Sequence, residues 1–220
     1  DGTNRAVAKG VRNVPLITIS TGTNNVYPDM IEGTVAGMAA AVVASKRFDL
    51  ESLRTKDKQI EIYKDGNLID IALVDAVVTG ESFIGAKAVW NYENIKVVVV
   101  ARSHPASIGF STIVGMRKII NQDDDFGAYV EVNENGKSVI SPVSVAALKN
   151  IVATEPVILK LGEEYEFKAN FRGSIALDGE KEIIFEKGDK YIFKITRNGP
   201  YRVDVVNTLE IAQKSGFFAS

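Results

Sequence analysis

After Lys46 the sequence is cut by turn signals at short intervals, and that rhythm constrains the fold more than any other feature. Asp65-Gly66, Asn135-Gly136, Gly162-Glu163, Gly188-Asp189 and Asn198-Gly199 all suit tight turns, because these residue types tolerate or prefer turn backbone. Between them lie strand-like runs at 96–101, 127–132, 156–160, 164–169, 181–185, 189–196 and 201–206. The alternation in KQIEIYKDGNLIDIALVDAVV predicts a hairpin folded at Asp65-Gly66, and Asn135-Gly136 predicts another hairpin tip. Many strands with closely spaced turns predict a β-sandwich domain over residues 51–206. Residues 82–91 fit helix or strand equally well.

The first 50 residues read differently, as an α/β lobe. Asn4 to Lys9 forms a short helix that Gly10 ends. Pro15 to Ser20 is a nearly uninterrupted apolar strand, the kind buried on both faces of a parallel sheet. A second helix is expected from about Pro28-Asp29, with Ile31, Val35, Met38 and Val42 as its buried stripe. Gly33 and Gly37, four apart, would let it approach its neighbour. NTLEIAQKSG near the end also reads as a helix, so that residues 207–220 would return to the first lobe.

Composition narrows the function classes. The formal net charge is −2, so no global field recruits nucleic acid or an anionic membrane. There is no cysteine, which removes disulfides, zinc–thiolate sites and thiol nucleophiles and fits a cytoplasmic protein. No apolar run approaches the roughly 18–20 residues of a membrane span, and no signal peptide is visible. The single histidine, His104, lies in ARSHPAS, a loop-like setting; one histidine cannot build a histidine-rich zinc site. Asp123-Asp124-Asp125 has no neighbours that complete an oxygen cage and reads as a solvated loop.

Three stretches carry candidate chemistry, each beside an ordinary reading. ISTGTNNVYPDM runs a strand into Thr21-Gly22-Thr23-Asn24-Asn25 and then a helix. Backbone N–H groups at such a bend can bind phosphate, and a plain β–α turn uses the same residues. Asp1-Gly2-Thr3 stands before the first helix, where a carboxylate and a hydroxyl orient a metal, accept a proton or simply cap the helix. In IALDGEKEI, Asp178 and Glu180 either share one pocket or form a solvated hairpin turn. NENGKS lacks the first glycine of a P-loop, and there is no GxGxxG.

Taken in order, these pieces resemble the superfamily of NAD kinases and diacylglycerol-type lipid kinases. Asp1-Gly2-Thr3 is similar to the end of its Gly-Gly-Asp-Gly-Thr hallmark, Gly22-Thr23-Asn24-Asn25 to the lipid kinases' Gly-Thr-x-Asn loop, and Asp178-Gly179-Glu180 to their late Asp-Gly-Glu. Within it, PLITISTGTNN and RSHPASIGFSTIVG look most like the acetoin catabolism protein X group, described as ATP-NAD kinase-like. The resemblance implies a truncated Rossmann-like α/β lobe over 1–50 followed by the β-sandwich, and a phosphotransferase using ATP and Mg²⁺. It implies catalytic roles for Asp1, Asp178 and Glu180, and nucleotide binding by Gly2, Thr3, Thr21, Gly22, Thr23, Asn24 and Asn25. Asp75 stands where NAD kinases carry Asn-Glu, and Gly109-Phe110-Ser111-Thr112 loosely matches their Gly-Ser-Thr-Ala-Tyr; Asp75, Ser111 and Thr112 are thus the expected substrate contacts. The expected partner is a small-molecule acceptor, NAD or a related metabolite, and exposed sandwich edges would allow a homo-oligomer. A non-catalytic nucleotide- or metabolite-binding protein regulating acetoin-type catabolism is the alternative.

Overall fold

A computed structural model describes residues 1–22, 26–80 and 94–219. The helices are α1 (Gly2–Gly10), α2 (Gly33–Ala44), α3 (Ser111–Gly115) and α4 (Val205–Lys214). The strands up to residue 144 are β1 (Arg54–Lys56), β2 (Gln59–Lys64), β3 (Asn67–Ala72), β4 (Asp75–Thr79), β5 (Ile95–Val100) and β6 (Phe126–Ser144). Those after it are β7 (Ala147–Ala153), β8 (Val157–Lys160), β9 (Glu164–Lys168), β10 (Gly173–Leu177), β11 (Lys181–Phe185), β12 (Lys190–Thr196) and β13 (Tyr201–Val203).

Two antiparallel sheets face each other. One is seven-stranded, in the order β11-β10-β4-β5-β6-β7 with β8 also on β6; the other is four-stranded, β3-β2-β12-β9. Ile60 and Ile62 from the smaller sheet, Val97 and Val99 from the larger, and Phe167, Phe185 and Phe193 fill the space between. The alternate residues of β5, Val98 and Val100, point the other way and pack with Ile113 and Val114 of α3. This explains the unbroken valine run at 97–100: both faces of the strand are covered, so neither needs polar residues.

The Asp65-Gly66 hairpin forms as expected, with both residues at positive φ (51° and 76°). Asn135-Gly136 is not a hairpin tip. β6 continues through it, and the register against Ala153 slips from Val132 to Lys137, so 133–136 bulge out. Gly136 is needed because a Cβ there would stand 2.2 Å from the Ala153 carbonyl carbon. The true tip follows Ser144, where Ala146 takes φ 57°.

In the first lobe, α1 forms as predicted, while Pro15 to Ser20 makes only isolated parallel bridges, Leu16 to Arg202 and Ile19 to Asp29. Of that stretch only Thr18 is fully buried, so it is not a strand sandwiched on both faces. α2 begins at Gly33, not at Pro28-Asp29; Glu32 caps it by accepting from the Thr34 and Val35 N–H groups at 2.7 and 3.3 Å. Its buried face is Ala36, Ala39 and Val42, while Val35 and Met38 are exposed. Small alanines let α2 lie against β13, α4 and the segment before β1, where Ala39 meets Val203 and Val205, and Val42 meets Leu53 and Ala212. α4 begins at Val205, capped by Asp204, and cuts the expected 201–206 strand short.

Candidate active site

A cavity of about 270 Å³ gathers residues distant in sequence. Its acidic side is made by Asp1, Asp75, Asp178 and Glu180. Its apolar side is made by Val26, Val74, Ile108, Phe110 and Val143.

Asp178 is positioned by its turn. It and Gly179 follow β10 with φ 51° and 75°, and the Glu180 N–H donates to the Leu177 carbonyl. This is the Asp-Gly hairpin turn, yet its acid is not solvated. The Asp178 carboxylate is buried and accepts the backbone N–H groups of Leu73, Val74 and Asp75 at 2.8–3.2 Å. It thereby pins the β3–β4 connection to the β10–β11 hairpin. Burial pushes its pKa up, against the pull of those three donors and of Arg5. Arg5 of α1 brings its Nε to 3.9 Å from Asp178 and donates to Asp70, which Lys9 also contacts at 2.9 Å.

Asp75 opens β4 beside Asp178. One carboxylate oxygen accepts the Ser111 N–H at 3.1 Å, and no second hydrogen bond reaches its carboxylate among the described residues. Burial, helped by the Asp178 charge, raises its pKa to about 7, and the Ser111 bond offsets only part of that. A carboxyl group poised near neutrality and facing a cavity can take or give a proton.

Asp1 stands at the start of α1 but does not cap it with its side chain. Its carboxylate instead accepts the Val26 and Tyr27 N–H groups at 2.8–3.0 Å, tying the far end of the polar loop to the start of α1. Glu180 is exposed, and its carboxylate lies so close over Gly2 that a Cβ there would overlap it.

The remaining expected residues divide. Gly2 is buried and Thr3 exposed, and neither lines the cavity. Thr21 and Gly22 are exposed at the rim of the polar loop; Thr23, Asn24 and Asn25 lie outside the described residues, as does the ambiguous 82–91 stretch. Ser111 and Thr112 are fully buried. Ser111 reaches the site through its backbone N–H on Asp75, and the Thr112 hydroxyl donates to the Gly109 carbonyl at 2.5 Å. His104 is an exposed loop residue accepting from the Ala106 N–H. The residues that pattern-reading passed over are the apolar wall, Ile108, Phe110 and Val143, and the buried Arg5. A wall has no motif, although Gly109, at φ 109°, marks the sharp bend that presents Phe110.

Among the described residues no three acidic or histidine side chains come close enough to hold a metal ion. The Asp123–Asp125 loop is held by Arg197, which donates to the Asp125 carboxylate and to the Asp123 and Asp124 carbonyls. No helix among the described residues is long and apolar enough to cross a membrane.

The chain is similar to yeast NADH kinase in a crystal structure with NADH, with a TM-score of 0.54 over 100% of this chain and 64% of that one. At 17% identity the likeness shows a shared NAD kinase-like fold, an α/β part joined to a β-sandwich. It is 33% identical over 213 residues to acetoin catabolism protein X of Cupriavidus necator, covering 93% of this chain and 59% of that protein. Residues 58–198, the sandwich with its Asp75 and Asp178, match the acetoin catabolism protein X C-terminal domain, and the chain therefore belongs to the acetoin catabolism protein X family.

Proposed function

We propose that the protein is an ATP-dependent kinase that transfers phosphate to a hydroxyl of NAD or a related small metabolite. The observation that carries this reading is the convergence of Asp1, Asp75, Asp178 and Glu180 on one cavity. Phosphoryl transfer needs little covalent chemistry from a protein; it needs the acceptor hydroxyl held in line and its proton received.

The geometry favours a division of labour among the acids. Asp75 has carboxylate capacity to spare and a pKa of about 7, which suits the group that receives the hydroxyl proton. Asp178, engaged by three backbone donors, suits a positioning role, holding Asp75 and Val74 in place. Asp1 orders the chain leaving the polar loop, and Glu180 closes the rim beside Gly2. Nucleotide binding would fall to Gly2-Thr3 and the Thr21–Asn25 segment, of which Thr3, Thr21 and Gly22 are exposed. Mg²⁺ would offset phosphate charge when it arrives with ATP; the described residues offer no cage for it on their own, so no step is assigned to a protein-held ion.

A second reading is a nucleotide- or metabolite-binding regulator without catalysis. It is favoured by the engagement of the Asp1 and Asp178 carboxylates by two and three backbone N–H groups. Incubation with radiolabelled ATP and NAD separates the two. The kinase reading expects labelled phosphate on NAD or another acceptor of a hydroxyl panel, falling by roughly 10²–10⁴ in Asp75→Asn. Binding of ATP and NAD with transfer to no acceptor makes the protein a regulator instead.

A further inference from the structure

We infer that Tyr27 and Asp57 are positioning residues: Asp57 fixes the Tyr27 side chain, and the Val26 and Tyr27 N–H groups placed by that contact hold the Asp1 carboxylate. The inference rests on the reading above only in giving Asp1 a place in the acceptor site.

Tyr27 belongs to the first lobe, yet its side chain is held by residues of the β1, β5 and β13 neighbourhood. It is 1% exposed, and its hydroxyl donates at 2.5 Å to Asp57, the residue just after β1. Burial, reinforced by the Asp57 charge, pushes the phenol pKa up, so the hydroxyl keeps its proton and stays the donor. Arg202 of β13 donates to the same carboxylate oxygen at 3.1 Å. Arg102, just after β5, lies over the Tyr27 ring at 4.6 Å from its centre and donates to the Tyr27 carbonyl at 3.4 Å. The ring tip, the ring face and the carbonyl are each held, which sets the direction of the N–H. Two residues on, the Asp29 carboxylate accepts from Arg202 at 3.2 Å, and the Asp29 carbonyl accepts the Ser20 N–H at 2.9 Å. The segment that meets Asp1 is therefore fastened at Tyr27 and again at Asp29.

Space-filling alone does not account for the cluster. Asp57 Oδ1 and Arg102 Nε are buried with no hydrogen-bond partner among the described residues. Unmet polar groups of this kind cost stability, and apolar side chains of similar volume would fill the space without that cost. What the polar contacts add is direction, because a charge-assisted hydrogen bond restricts both distance and angle. Asp57 is itself fixed through its backbone. Its N–H donates to the Pro200 carbonyl at 3.0 Å and its carbonyl accepts the Gly199 N–H at 3.1 Å. A Cβ at Gly199 would stand 2.5 Å from that carbonyl oxygen.

Residue-resolved amide hydrogen exchange on the full chain, without nucleotide, tests the link. In Tyr27→Phe, which keeps the ring, the amides at positions 26 and 27 should exchange roughly 10–100-fold faster. The amides of Val98, Val99 and Val100 in β5, inside the seven-stranded sheet, should keep the parent rate. Asp57→Ala should reproduce the local loss, and Asp57→Asn, which retains an oxygen for the hydroxyl, should restore part of the protection. A contribution to overall stability alone would instead move the β5 amides. Unchanged exchange at positions 26 and 27 in Tyr27→Phe, an acceleration there matched in β5, or an Asp57→Asn no better protected than Asp57→Ala overturns the inference. Should the Asp57 variants not fold, Tyr27→Phe decides by itself. Because no nucleotide is needed, a protein that shows the local loss but transfers no phosphate supports the anchor and counts only against the kinase reading.

Discussion

At the scale of single residues, the cost of the site is concentrated in Asp75. Its ordinary pKa of 3.8 rises to about 7 in the fold because burial and the neighbouring Asp178 disfavour its charge. Between those values the folded protein keeps a proton that the unfolded chain has released, so stability falls as pH rises from about 4 to about 7. Asp75→Asn removes the charge and keeps an oxygen for the Ser111 N–H. It should therefore stabilise the protein at pH 8 by a few kcal/mol, on the order of 1.4 kcal/mol per pH unit of displacement, and the gain should vanish near pH 4. Urea unfolding of parent and variant across that range measures it; equal stability at pH 8 contradicts the placement of a strained acid here. Such a trade of stability for reactivity is common at sites that do chemistry. Of this arrangement the sequence displayed the acids but not their partners. Asp178-Gly179-Glu180 was legible as a turn and as a pair of candidate acids. That Asp178 spends its carboxylate on Leu73, Val74 and Asp75 depends on strand packing across more than a hundred residues, which no local pattern encodes.

At the scale of elements, most sandwich strands and α1 were readable, while the strand at 15–20 and the start and buried face of α2 were not. Strands such as β5 and β12 carry β-branched and aromatic runs bounded by turn residues, and each pairs near its expected position. α2 misled because every residue in Gly33–Ala44 except Thr34 is glycine or apolar. With no polar face, periodicity cannot choose which side is buried, and the alanines win because they permit close approach. Asn135-Gly136 misled for a related reason, since turn residues also serve bulges. That distinction is testable. A side chain at Gly136 would collide with the Ala153 backbone, whereas around the tip glycine Gly66 a Cβ would meet open space and only the positive φ opposes it. Gly136→Val should thus lower the thermal midpoint and break the pairing of β6 with β7. Hydrogen exchange should localise the loss to residues 137–153; an unaffected midpoint would restore the hairpin-tip reading.

At the scale of the whole molecule, the question is what holds α1 on the sandwich so that Asp1 reaches the cavity lined by Asp75 and Asp178. The apolar answer is thin: Ala8 packs on the small cluster of Tyr27, Leu73 and Val74. The polar answer is Arg5, whose guanidinium donates to Asp70 at 3.1 Å and lies 3.9 Å from Asp178, with 7% of its side chain exposed and none of theirs. A buried ion pair need add little net stability over an apolar replacement, but removing one partner strands the other. Arg5→Met would leave Asp178 without its cation and Asp70 with Lys9 alone, and about 3–5 kcal/mol should be lost. Asp70→Leu alone would strand Arg5 beside Asp178, a smaller loss because Asp178 remains to neutralise it. The double variant would recover part of the first loss, since only Asp178, with its three backbone donors, would then lie buried without Arg5. Denaturant unfolding of the four proteins in a double-mutant cycle reads the coupling directly. A coupling near zero would mean that the Arg5–Asp70 pair does not hold α1, and that the alignment of Asp1 with the sandwich acids owes nothing to it.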